Sequence, residues 1–366
     1  MKKIVILSNE IGIIYKFRFE LLKKLVKNKK VFLLSPKTDK QEFFLEEIMK
    51  LGVNFIEIKL SRRKSNIFQE IYVLIQYYRK LKELKPDKVL TYTIKPNVYG
   101  GIVCRILNLK YISTITGIGT AFQQENLLKK IVVFLNKIAL KNAEKIFFQN
   151  ETNLNIYLKE KIIKMENTKL VNGSGVNLEK FNCEIKKLDF PIKILSIGRI
   201  MQEKGIEEFL EVTKRIKEKY KNKVEFNILG QYEEEKYKFI IEDLQNKGII
   251  KYLGISNDVR NELKNIHCLV NPSWHEGMSN VLLEAGAMKR FLIASDIPGC
   301  REIVINNKTG FTFEKQNIDD LENKIEQFIN LLEEEYEKYI NSSYEHIKNN
   351  FDRKIVIDEY LKIINS

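Results

Sequence analysis

"SWHEGMSNVLLEAGA", residues 273–287, joins a polar loop to an apolar run and sets Glu276 and Glu284 eight residues apart. The spacing predicts a helix starting near Met278. A buried helix has no use for glutamate at either place, whereas a loop feeding a helix and holding a polar ligand can use both. The N–H groups that open a helix have no partner inside it and favour anions, which here singles out those of Met278, Ser279 and Asn280, with Gly277 and Val281 on either side of them as further donor-binding candidates. Glu276 precedes the helix, where phosphate would repel it but sugar hydroxyls could donate to it. Glu284 lies one turn past Asn280, within reach of ribose hydroxyls. Plainer roles stay open for both, Glu276 as a partner of the helix dipole and Glu284 as a solvated helix residue.

The stretch belongs to a repeating pattern. Short β-branched runs near 193–198, 223–229, 249–253, 267–271, 291–295 and 310–313 alternate with helical periodicity. An earlier series near 3–8, 30–34, 53–58, 87–92, 110–115, 145–149 and 168–172 does the same. Such alternation implies parallel sheets covered on both faces, an α/β class. Between the series, residues 182–193 lose periodicity and carry Pro191, which marks a linker. Two Rossmann-like domains are expected, 1–182 and 183–350, with a last helix at 351–366 packing back on the first. The acidic run "LLEEEYEKY" reads as a solvated helical face. In "LLKKIVVFLNKIALKNAEK", Lys130, Lys137 and Lys141 share a face opposite Val132, Leu135 and Ala139. That pattern reads as a core-packed helix, with a membrane-surface helix as the alternative.

At 366 residues the chain exceeds one ordinary core. Sixty-two Lys and Arg against forty-eight Asp and Glu give a net +14, which favours acidic partners, although the excess is dispersed. No nucleic-acid-reading motif accompanies it, so nucleic acid is not an expected partner. Cys104, Cys183, Cys268 and Cys300 form no CxxC pair, which argues against a zinc site or a disulfide framework. "MKKIVILS" is too short for a secretory core, and no stretch reaches eighteen charge-free apolar residues. A cytoplasmic protein, at most peripheral on a membrane, is expected.

A second stretch, "ILSIGRIMQEKGIEEFL", ends a strand at Gly198 and begins a helix near Glu203, with Arg199 and Lys204 beside the turn. Open α/β sheets bind ligands at the carboxyl ends of their strands, and two cations there suit a diphosphate.

Glu276-x7-Glu284, preceded by "SWHEG" and joined to "SIGRI…EKG" upstream, resembles the retaining nucleotide-sugar glycosyltransferases of family four, which have the GT-B fold. "NGSGVNLEKF" (172–181), "FNILG" (226–230) and "DIPGCREIV" (296–304) extend the likeness along the chain. "LTYTIKPNVYGG" (90–101), "TITGIGTAF" (114–122) and "KIFFQNET" (145–152) look like the bacterial subgroup that extends undecaprenyl-diphosphate-linked sugars, especially N-acetylgalactosaminyltransferases. The resemblance implies two parallel sheets facing a central cleft and transfer from a UDP-sugar, with N-acetylgalactosamine as the first choice. The acceptor would be a polyprenyl-diphosphate-linked sugar in bacterial surface or glycoprotein glycan assembly, reached at the inner face of an anionic membrane.

On this sequence the resemblance makes Arg199 and Lys204 clamps on the donor diphosphate, Glu276 the holder of the hexose and Glu284 that of the ribose. Gly198, Gly230 and Gly12 would line the donor, although "SNEIGIIYKF" lacks the paired glycines frequent in the family. Thr114, Thr116 and Gly117 stand where many relatives carry a histidine. The clamps would replace a divalent metal, in keeping with the lack of a DxD-like pair, so no cofactor is expected. His275 reads as a loop residue and Trp274 as a pocket wall. On the acceptor side, Arg62 and Arg63 (with Lys64) and Lys95 and Asn97 lie in loops at the carboxyl end of the first sheet.

Rival readings are a sugar-nucleotide epimerase or phosphorylase on the same architecture, and a basic nucleic-acid-binding protein. A dinucleotide fingerprint fails, because Gly117-x-Gly119 is followed by Phe122 where glycine or alanine is required.

Overall fold

The computed structural model describes residues 1–37, 41–60, 67–118, 122 and 127–366. Arg62, Arg63, Lys64 and Gly119 lie outside the described residues. The chain forms two compact units, Met1–Ser174 with Val356–Ser366, and Gly175–Ile355.

In the first unit, strands β1 (Lys3–Leu7), β2 (Lys30–Ser35), β3 (Asn54–Glu57), β4 (Lys88–Tyr92), β5 (Tyr111–Ile115), β6 (Lys145–Phe148) and β7 (Thr168–Leu170) alternate with helices. The helices are α1 (Ile11–Leu25), α2 (Glu42–Lys50), α3 (Ile67–Leu84), α4 (Gly101–Ile106), α5 (Leu127–Leu140) and α6 (Glu151–Lys159). The sheet order is β3-β2-β1-β4-β5-β6-β7, with parallel pairing throughout. One face packs on α1 and α2, the other on α3 to α6. The five inner strands are buried on both faces, which explains their near-continuous apolar runs, while the edge strands β3 and β7 are partly exposed.

The second unit holds β8 (Ile192–Ile197), β9 (Val224–Leu229), β10 (Ile250–Tyr252), β11 (Cys268–Asn271), β12 (Phe291–Ser295) and β13 (Phe311–Phe313). Its order, β10-β9-β8-β11-β12-β13, is again parallel. Helices α7 (Ile206–Tyr220), α8 (Lys236–Asn246), α9 (Arg260–Lys264), α10 (Asn280–Ala287), α11 (Ile318–Ile329) and α12 (Glu333–Phe351) belong to it, and α13 (Arg353–Asn365) closes the chain. This is the doubly wound arrangement whose strand order reverses between β8 and β11. A crevice opens where neighbouring connections leave in opposite directions, so the ends of those two strands are where a ligand is expected.

The change of unit falls at Ser174, earlier than the linker composition suggests. Val176 donates to the Phe351 carbonyl, Arg353 donates to the Val176 carbonyl, and Phe181 joins the core of the second unit. Those bonds fix 175–182 to the second unit. At the other end, Val356, Ile357, Tyr360 and Ile364 of α13 lie in the first unit's core.

Helix α5 departs from its expected packing. Lys129, Val133, Asn136, Ala139 and Leu140 point inward, while Val132 and Leu135 are half-buried. The polar residues can face inward because Lys129 pairs with Glu160 at 2.8 Å and Asn136 donates to the Val132 carbonyl at 2.8 Å.

Candidate active site

The site in the second unit is built by two loops that leave β8 and β11. After β8, the Gly198 N–H binds the Leu229 carbonyl and Ile200 binds Gln231. A tight turn over Gln202–Lys204 then reaches Gly205, whose φ of +69° serves as the left-handed entry to α7. A Cβ at Gly205 would lie 2.0 Å from the Pro272 carbonyl oxygen, so only glycine lets the β8 loop close on the β11 loop. The Trp274 N–H donates to the Glu203 carbonyl at 2.9 Å, and Trp274 Nε1 donates to Glu208 at 2.8 Å. The backbone bond thus fastens the two loops together, and the indole ties the β11 loop to α7.

That closure brings Lys204 Nζ to 2.7 Å from Glu276 Oε1. Both side chains are mostly covered, at 22% and 17% exposure, which leaves one open side for a ligand. Ser273 Oγ stands 2.9 Å from the same carboxylate oxygen and 2.7 Å from Asn271 Oδ1, and its single proton serves one at a time. Asn271 in turn donates to Ser279 Oγ at 2.6 Å. Asn271 and Ser273 are the positioning residues that sequence reasoning missed. Their signal was two small polar residues at the carboxyl end of a buried strand, eight and six residues before Ser279. Gly198, Arg199, Lys204, Asn271 and Ser273 line one small crevice at the ends of β8 and β11. Arg199 is exposed, with Glu233 3.7 Å away.

Helix α10 begins at Asn280, with Ser279 as its N-cap, and not at Met278. The Ser279 N–H is taken by the Gly299 carbonyl at 2.9 Å, and Met278 is buried. Of the expected N–H donors at 278–280, that of Ser279 is therefore committed within the protein. Gly299, at φ +88°, lies against the Glu276 backbone, where a Cβ would sit 2.9 Å from its carbonyl oxygen. Gly277, Asn280, Val281 and Glu284 are half-buried, and the last three follow one edge of α10 at i, i+1 and i+4. Gly230 makes a close backbone approach, its missing Cβ site 1.7 Å from the Gly198 carbonyl oxygen.

The three histidines have separate places. His275 is exposed beside this site, its pKa lowered by partial burial and by Lys315. His267 is fully buried, accepting at Nδ1 from the Lys193 N–H and therefore donating from Nε2 to Asp189, each at 2.8 Å. His346 bonds the Glu302 carbonyl.

In the first unit, Gly12 is buried at the start of α1, after β1. Lys95 forms a 2.7 Å ion pair with Glu70. Asn97 is buried with its amide held internally, accepting from Thr91 and donating to the Thr114 carbonyl, so it braces the loop after β4. Among the described residues, no group of three or more His, Cys, Asp or Glu is placed to hold a metal ion.

The family described as "Glycosyl transferases group 1" matches residues 179–346, and "Glycosyl transferase 4-like" matches 3–150. The chain is 28% identical to the N,N'-diacetylbacillosaminyl-diphospho-undecaprenol alpha-1,3-N-acetylgalactosaminyltransferase of Campylobacter jejuni, over 99% of this chain and 98% of that one. It is 29% identical to the UDP-Gal:alpha-D-GlcNAc-diphosphoundecaprenol alpha-1,3-galactosyltransferase of Escherichia coli, over 72% of this chain and 71% of that one. The crystal structure of Anabaena HepE in complex with UDP and glucose superposes with a TM-score of 0.82 at 14% identity, over 100% of both chains, a likeness of fold. With two parallel doubly wound units and both family matches, the chain belongs to the family-four glycosyltransferases of GT-B fold.

Proposed function

We propose that this glycosyltransferase moves an N-acetylhexosamine, with N-acetylgalactosamine the first choice, from UDP to a sugar carried on a polyprenyl diphosphate, with retention at the anomeric carbon. The observation that carries the donor reading is the Lys204–Glu276 pair at the reversal point of the second sheet. It puts a cation and a hydroxyl acceptor side by side, which is what the junction of a diphosphate and a sugar requires. The acceptor class is supported by the full-length likeness to an enzyme named for an undecaprenol-diphosphate acceptor. UDP-galactose, UDP-glucose and UDP-N-acetylglucosamine rank behind as donors.

In this reading Arg199 and Lys204 hold the diphosphate and neutralise the charge that grows on it as the bond to the anomeric carbon breaks. Glu276, oriented by Lys204 and Ser273, accepts from the sugar hydroxyls, and Glu284 accepts from the ribose. The acceptor hydroxyl attacks from the face that UDP leaves. Its oxygen bonds the anomeric carbon, and its proton passes to the departing phosphate oxygen. The fixed cations supply the charge stabilisation that a divalent metal gives elsewhere. The enzyme works in the cytoplasm, on the inner face of an anionic membrane where its acceptor is carried.

The test is a donor screen that measures UDP release with and without lipid-diphosphate sugars. Release that needs both a UDP-sugar and such an acceptor supports the reading. Turnover without acceptor, or only with inorganic phosphate, favours an epimerase or a phosphorylase.

A further inference from the structure

Helix α5 buries Val133, Ala139 and Leu140 as an ordinary surface helix would, but it departs from that pattern at its other positions. Its inward side carries Lys129 and Asn136, each with an internal partner. Its outward side shows Leu127, Leu128, Ile131 and Phe134, each between 47% and 72% exposed. On a soluble surface helix the polar residues face out. Here two polar groups have buried partners while four large apolar side chains stay in solvent.

A second helix of the same unit also exposes a stripe of large apolar side chains. On α3, Phe68, Ile71, Tyr72 and Ile75 follow i, i+3, i+4 and i+7 and are between 42% and 77% exposed, while Val73, Tyr77 and Leu81 fill the core. Both helices cover the same face of the sheet. The turn over Pro96–Gly100 packs against α3 and α5, as does α4. In a parallel sheet, each crossover helix starts at the carboxyl end of the strand before it. The two apolar stripes occupy the first halves of α3 and α5, so they lie at one edge of the unit. Ile94, in the loop leading from β4 into that turn, is exposed at the same edge. Scattered apolar residues on a surface are ordinary, but two helical stripes converging on one edge are not.

Charge identifies the occupant. Lys130 and Lys137 flank the outward stripe of α5, Lys141 follows the helix, and Arg79 and Lys82 continue the stripe of α3 away from that edge. An apolar stripe bordered by cations fits the boundary of a bilayer with anionic headgroups, with acyl chains against the apolar side chains and phosphates against the lysines. Among the described residues, no helix is long and apolar enough to cross a membrane. We infer that the exposed faces of α3 and α5 form a monotopic docking surface that seats the first unit on an anionic lipid bilayer. The choice of a bilayer over another protein rests on the reading of a lipid-carried acceptor, which this surface deepens by naming the part of the enzyme that meets the lipid.

The experiment is vesicle flotation without donor or acceptor, using equal parts phosphatidylglycerol and phosphatidylethanolamine, or phosphatidylcholine alone. Wild type floats with the anionic vesicles. Ile131→Glu with Phe134→Glu weakens this at least roughly tenfold, since it removes two apolar anchors and adds two repelled charges. Lys130→Glu with Lys137→Glu loses binding to the anionic vesicles and leaves any weak phosphatidylcholine binding unchanged. Because Lys130, Ile131 and Phe134 are exposed, Lys137 is only half-buried and none of the four belongs to the buried set of α5, circular dichroism and melting match wild type, and turnover with a short-chain, water-soluble acceptor is unaltered. Wild-type-like flotation of the folded apolar variant overturns the inference. So does a wild-type dimer that the apolar variant splits, which would make the surface a contact between copies. If wild type floats but transfers no sugar to any lipid-diphosphate acceptor, the docking surface stands and the acceptor reading falls.

Discussion

Lys204 Nζ and Glu276 Oε1 stand 2.7 Å apart although 72 residues separate them. The chain joins them by a glycine contact, Gly205 against Pro272, and by the Trp274 N–H bond to Glu203. Each charge holds the other where a ligand can meet both. Lys204→Ala and Arg199→Ala are each expected to cut turnover by roughly a hundredfold or more, through loss of charge stabilisation on the leaving diphosphate. Lys204→Ala also leaves the Glu276 carboxylate without its cation. The double variant Lys204→Ala, Glu276→Gln should therefore fall by less than the product of the single losses. Steady-state kinetics on the three variants checks this, and an additive result would show that the pair does not act as a unit.

Gly205→Ala separates the closure of the loops from their chemistry. The added methyl would meet the Pro272 carbonyl in a residue held at φ +69°, so the variant should lose about 2 kcal/mol or more of stability in urea unfolding. If the loops part instead of the unit unfolding, turnover falls with the melting temperature nearly unchanged. An alanine variant normal in both respects would mean the contact is not needed.

The strand pattern was almost wholly legible, because β-branched runs bounded by turn residues report parallel strands buried on both faces. Each of β1 to β13 lies where its run predicts, within a residue or two. What the sequence could not disclose came from distant partners. The helix α10 starts at Asn280, after an extended Ser279 whose N–H is taken by the Gly299 carbonyl from a distant loop. Helix α5 faces the way it does because Glu160, in the loop after α6, receives Lys129. Arg199, Lys204 and Glu276 stood out in the sequence as charged residues in the loops that leave two strands, but the contact between the last two depends on those loops meeting across the sheet.

Buried His267 gives the second unit a pH dependence. Burial lowers its pKa below the ordinary 6.5, opposed by the bond to Asp189, while nearby Lys186 lowers it further. Its Nδ1 accepts the Lys193 N–H, so a proton there would displace that bond. Below 6.5 the unfolded chain takes up a proton that the folded one resists, and stability is lost as the pH falls from there through the depressed value. Thermal melting of wild type should therefore drop between about pH 7.5 and about pH 5.5 more steeply than that of His267→Gln. Parallel profiles would remove His267 as the cause.

Activity in excess EDTA follows from the proposed clamp, in which Arg199 and Lys204 would take the charge a metal otherwise carries. Turnover measured after chelation and gel filtration should stay within about twofold of the untreated enzyme. Complete loss that magnesium or manganese restores would contradict the clamp. A mild metal effect would not, because divalent ions also bind free nucleotide.

The sharpest division concerns Glu276 and Glu284. Glu276 is held by Lys204 and Ser273 at the end of β11, where the transferred sugar would lie, whereas Glu284 sits on α10 one turn past Asn280. A contact at the reacting ring can strengthen in the transition state, while a ribose contact remote from the breaking bond adds evenly to binding. Glu276→Gln should therefore lower mainly turnover and leave UDP affinity within about threefold of wild type. Glu284→Gln should weaken UDP and the intact donor alike, by about tenfold for loss of a charged hydrogen bond. UDP lacks the hexose, so calorimetry with UDP alone separates the two. If Glu276→Gln weakens UDP as much as Glu284→Gln does, Glu276 acts through Lys204 on the diphosphate, and the assignment of the sugar to Glu276 fails while the donor site itself stands.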